Sequence, residues 1–160
     1  GRGERAKLVL YCEGPNIAAD DGRAGGGDGA EASLEAVAFA ACDGDYAVLD
    51  RAWVRAVGDG LAPVALLRGA LRHVGRLHLA CAHLAEGLDA SRAMERLRPP
   101  VFFRLADRFR RQLAVWDDAR LAAALDRLIE AEIACKATGA PDEMLAYRAL
   151  ANVARIARKQ

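Results

Sequence analysis

Residues 97–116 read Leu97-Arg-Pro-Pro-Val-Phe-Phe-Arg-Leu-Ala-Asp-Arg-Phe-Arg-Arg-Gln-Leu-Ala-Val-Trp116. Two adjacent prolines stop any helix that precedes them, because proline lacks an amide donor and restricts the residue before it. After them, Phe102, Phe109 and Trp116 recur at seven-residue spacing. At about 100° per residue these three, with Leu105 and Leu113, share one face of a helix. Arg104, Arg108 and Arg111 gather on the other side, with Asp107 among them and Arg110 turned aside. The spacing predicts an amphipathic helix with an aromatic core face and a basic ridge. That ridge either tracks phosphate or faces solvent.

Working outward, the neighbouring segments carry helix punctuation of the same kind. Asp117 or Asp118 can cap a helix to about Lys136, closed by Gly139, and Pro141 opens a last helix to about Arg158. Upstream, Ser33 can cap a helix to about Cys42 and Asp45 another to Val57. Pro63 suits the first position of a long helix to Glu86, with Gly87 beyond it. A short helix is expected over Ser91–Leu97. Residues 20–30 hold five glycines and read as a linker. Residues 5–11 read as the end of a helix cut from something longer. No run alternates with period two for long enough to form a strand, so the expected fold is an all-α helical bundle.

Composition agrees. Of 160 residues, 36 are Ala and nine are aromatic, which favours close helix packing over a sheet. The net charge of +1 conceals a gradient. Residues 1–60 carry six basic and eleven acidic groups, whereas the last hundred stand at +6. That asymmetry is milder than a dedicated nucleic-acid-binding domain shows, so DNA contact is expected to be auxiliary. No apolar run approaches the roughly 20 residues that span a bilayer, and no leader is expected. Cys12, Cys42, Cys81 and Cys135 stand far apart without a C-x-x-C pair, which fits a reducing cytoplasm.

Few constellations point to chemistry. His73, His78, Cys81 and His83 include zinc-ligand types, but His73 and His78 project about 140° apart on one helix and His83 points outward. A core cysteine with edge histidines is expected instead of a metal site. No Gly-Lys-Ser/Thr phosphate loop, Ser-His-Asp set or His-Glu-x-x-His helix occurs. Neither a cofactor nor a catalytic residue is therefore expected. Glu132 projects into the apolar face set by Leu121, Leu125, Leu128, Ile129 and Cys135. A lone buried carboxylate is costly, so it should pair with Lys136, about 40° away one turn later, or with Arg148. Lys136 and Thr138 also stand at a helix end where a phosphate could lie.

Several stretches resemble the delta subunit of the bacterial DNA polymerase III clamp loader. Lys7-Leu-Val-Leu-Tyr11 resembles the close of its lid domain. Leu34 through Val57, with the central Cys-Asp-Gly-Asp-Tyr46, resembles its first collar helices, and Pro63 through Leu79 its long collar helix. Leu97-Arg-Pro-Pro-Val-Phe-Phe103 is similar to its turn and aromatic helix. Leu128 through Pro141, then Arg148-Ala-Leu150, resembles its closing helix pair. The resemblance implies a lid fragment and linker over residues 1–32 and a helical collar domain over residues 33–160. In such proteins the collar joins other clamp-loader subunits, delta-prime and gamma/tau, in DNA replication. The sliding clamp is engaged by an N-terminal ATPase-like domain not included in these 160 residues. The resemblance thus implies a non-catalytic, cytoplasmic assembly module of a DNA-directed DNA polymerase. Arg104, Arg108, Arg111, Lys136, Thr138 and Arg148 are its possible DNA-facing residues. A stand-alone helical adaptor or nucleic-acid-binding regulator is the competing expectation.

Overall fold

The computed structural model describes residues 27–159. The readings placed on residues 5–11 and on most of the glycine-rich stretch lie outside them. Seven α-helices follow in order: α1 (Gly27–Asp43), α2 (Tyr46–Gly58), α3 (Pro63–Ala85), α4 (Ala90–Glu95), α5 (Ala106–Val115), α6 (Asp118–Cys135) and α7 (Asp142–Arg158). A 3-10 turn over Phe103–Leu105 precedes α5. No strand occurs among the described residues, so the fold is an all-α bundle.

Local chemistry accounts for most helix ends. Asp45, Asp89 and Asp117 each accept from the amide three residues on (Val48, Arg92 and Arg120, 2.8–3.1 Å), capping α2, α4 and α6. Pro63 occupies the first position of α3, where its missing amide hydrogen is not needed. The α1–α2 turn depends on Gly44, at φ +74°, because a Cβ there would lie 2.7 Å from Arg158 Cγ and 3.2 Å from Ala154 O. Glycine thus lets the turn lie directly against α7.

α1 starts six residues before Ser33, so residues 27–30 are helical and not part of a linker. Leu34 and Val37 anchor its early turns in the core.

α3 is the central element. It packs on α1, α6 and α7, while α6 and α7 pack closely on each other and α2 lies on α1 and α7. Leu66, Leu67, Ala70, Val74 and Leu77 of α3 are fully buried against Leu121, Leu125 and Leu128 of α6 and Leu150 and Val153 of α7. Each such leucine contributes roughly 1.5–3 kcal/mol through apolar burial. No described helix is long and apolar enough to cross a membrane.

The decisive segment departs from expectation at its start. Phe109, Leu113 and Trp116 are buried, and Leu105 is half-buried. Phe102, expected in the core, is 53% exposed beside Phe103 at 74%. Helical phase carries no meaning at Phe102, because the chain there is extended (ψ 134°) and α5 begins only at Ala106. Phe102 therefore stands ahead of the heptad it appears to join.

Candidate nucleic-acid interface

The three arginines expected to form a ridge do different things. Arg108 turns toward the bundle: its Nη2 and Nε lie 2.6 and 2.7 Å from Asp43 Oδ2, and its guanidinium stands over the Phe39 ring. Arg104 stacks near the Phe103 ring, with 5.7 Å between guanidinium carbon and ring centroid. Arg111 is exposed. The common basic ridge is therefore broken at its centre, because Asp43 arrives from α1, 65 positions away in sequence.

Arg108 is the outer end of a buried polar junction not foreseen from sequence. Gln112 donates from Nε2 to Asp43 Oδ1 (2.7 Å) and to Phe39 O (3.3 Å). With both amide hydrogens used, its Oε1 must accept, so His73 donates from Nε2 at 2.6 Å. His73 is buried between the rings of Phe39 and Phe109 and does not lie at an edge of α3. Burial holds its pKa down to about 4, with the charges of Arg76 and Arg108 adding, while Gln112 and Asp43 pull the other way. Below this junction Trp116 Nε1 donates to Cys42 O at 2.9 Å. His78 and His83 are half-buried elsewhere on α3. His83 does not point outward: its Nδ1 is buried, with only Glu86 nearby at 3.6 Å. Among the described residues no three His, Cys, Asp or Glu side chains form a group that could hold a metal ion. Half-buried Cys81, its thiol pushed up to about 11 chiefly by burial, contacts Trp116 O.

Glu132 is buried, as its place on the apolar face of α6 requires, but its main partner is Arg68 of α3, with Nε at 3.0 Å. Lys136 is the second partner, at 3.9 Å. Arg148, the alternative partner considered from sequence, is exposed on α7 and makes no pair with Glu132. Arg68 was missed because it lies 64 positions away, on a helix whose facing side only packing defines. Lys136 and Thr138 are exposed beyond the end of α6.

Basic side chains instead concentrate on the opposite part of the α6–α7 pair. An open depression of about 610 Å³ is lined by Tyr46, Ala123, Arg127, Arg155, Ile156, Arg158 and Lys159. None of these appeared as a candidate in the sequence. Arg155 and Arg158 lie in the last turn of α7 and Lys159 just beyond its end, so their closeness follows from the chain itself. That Arg127 and Tyr46 lie beside them follows only from packing. No protein-family model matches the chain, and neither a curated protein nor a solved structure is significantly similar to it.

Proposed function

We propose that the chain is the collar of a clamp-loader delta subunit of bacterial DNA polymerase III, a non-catalytic assembly module acting in cytoplasmic DNA replication. One observation carries this reading beyond the sequence resemblance. Around a single closed core, large apolar side chains stand exposed on separate elements: Val54 on α2, Phe102 and Phe103 before α5, Ile133 on α6 and Met144 on α7. Of these, Phe102 and Phe103 stand ring against ring at 4.8 Å, and a pair of exposed aromatics is the kind of anchor that a neighbouring subunit would cover. In this role the partners are delta-prime and gamma/tau, and DNA contact is secondary.

The test is size-exclusion chromatography of the purified chain with each partner subunit at micromolar concentration. Co-elution is expected, weakened by Phe103→Ser or Ile133→Ser. Absence of association with every partner would overturn the reading. Tight DNA binding without association would favour a stand-alone regulator instead.

A further inference from the structure

Two open depressions among the described residues differ in charge. In the one between α3 and α4, Glu86, Asp89 and Glu95 offset Arg92, Arg96 and Arg98. The one beside α6 and α7 is lined by four cations, Arg127, Arg155, Arg158 and Lys159, and by no carboxylate. We propose that this second depression binds the phosphate backbone of nucleic acid. The inference stands on these side chains and not on the clamp-loader reading.

Three observations carry it. First, the side chains of Arg155 and Lys159 are exposed and make no ion pair or hydrogen bond among the described residues. Arg127 has only an exposed intrahelical contact with Glu130, at 3.6 Å, a kind of pair that holds a cation weakly. Second, the rim is built. Arg158 donates to Gly44 O at 3.3 Å and stands over the Tyr46 ring, and Arg120 donates to Val115 O and Lys159 O. The contacts of Arg158 fix the end of α7 against the α1–α2 turn, and those of Arg120 tie it to the start of α6. Third, helix-end electrostatics do not explain the whole set. Cations in the last turn of α7 offset its terminal carbonyls, but Arg127 lies in the interior of α6, far from either end.

The chemistry of the lining selects the partner. Three of the four cations are arginines, whose planar fork matches phosphate oxygens in a bidentate contact. The depression is open, which suits a passing polymer better than an enclosed small ligand. Its aliphatic lining is limited to half-buried Ile156 and small Ala123, beside the Tyr46 ring that Arg158 stands over, so it offers little to the acyl region of a membrane.

The experiment is fluorescence anisotropy of the purified 160-residue chain with a labelled duplex across a salt series. The triple variant Arg127→Ala/Arg155→Ala/Lys159→Ala should weaken binding at least tenfold. It should also flatten the salt slope by about two to three, since each lost phosphate contact removes about 0.9. Arg104→Ala/Arg111→Ala should bind within twofold of the parent. The single exposed change Arg155→Glu, checked for fold by circular dichroism, should weaken binding at least fivefold and tests the site should the triple variant unfold. No binding by the parent chain, an unchanged triple variant or equal loss in the Arg104/Arg111 control would each overturn the assignment. Capture by phosphatidylserine vesicles but not by the duplex would do the same.

Discussion

His73 donates its Nε2 proton to Gln112 Oε1 across 2.6 Å, joining α3 to α5 inside the aromatic junction of Phe39 and Phe109. This bond makes a neutral imidazole the form that the folded state requires, and stability follows from it. With a folded pKa of about 4 against about 6.5 unfolded, the unfolded chain takes up a proton that the folded chain refuses. Stability is fully present above pH 6.5 and falls as pH drops toward 4, by about 3 kcal/mol over the window. Glu35, whose carboxyl is raised by burial and by Glu31, acts in the opposite sense. The measurement is therefore the difference between the parent and His73→Gln in urea melts from pH 7 to 4. Parallel curves would show that His73 is not buried neutral.

Phe109 and Phe102 sit seven residues apart and should behave oppositely. Phe109→Ala empties a fully buried site and should cost about 3–5 kcal/mol. Phe102→Ala, at an exposed position, should stay within about 0.5 kcal/mol. Denaturant midpoints of the two variants check this, and equal losses would restore Phe102 to the core.

Gly44 and Gly60 both hold positive φ, at +74° and +89°, but only Gly44 is crowded. Gly60→Ala meets nothing within 4 Å and should cost about 1–2 kcal/mol, the left-handed backbone penalty alone. Gly44→Ala must also displace Arg158 and crowd Ala154 O, so thermal melts should place it clearly lower. Equal melting temperatures would contradict the close approach of the turn to α7.

The Arg68–Glu132 pair should respond asymmetrically. The Glu132 side chain is 10% exposed and that of Arg68 is 46% exposed. Arg68→Met leaves a buried carboxylate with only the longer contact to Lys136 and should cost about 2 kcal/mol. Glu132→Leu leaves a cation that water already reaches and should cost less than about 1 kcal/mol. Urea titrations of both variants and of the double change decide it, since the reverse order would mean that the carboxylate is hydrated.

The bundle was legible because its signals are local. Asp45, Asp117, Pro63, Gly87 and Gly139 act within a turn or two of where they stand, and caps and breakers need no distant partner. Periodicity likewise put Phe109, Leu113 and Trp116 inside and set Glu132 on an apolar face. It failed at Phe102, where a helical phase was carried back past the start of the first helical turn. It also failed at residues 27–30, where counting glycines outweighed the helix that Leu34 and Val37 anchor downstream.

The sequence by itself determined the all-α class, the order of the helices and most of their inner faces, because those depend on neighbours three or four residues away. Only the tertiary structure decided what the charged side chains do. Arg108 was claimed by Asp43, Glu132 by Arg68, and His73 was drawn inward by Gln112. The same packing set Arg127 beside Arg155 and Lys159. A charge on a helix flank can be solvated, paired or gathered into a patch at similar local cost. The choice among these is made by whichever helix packs alongside, and that is fixed only when the whole core closes.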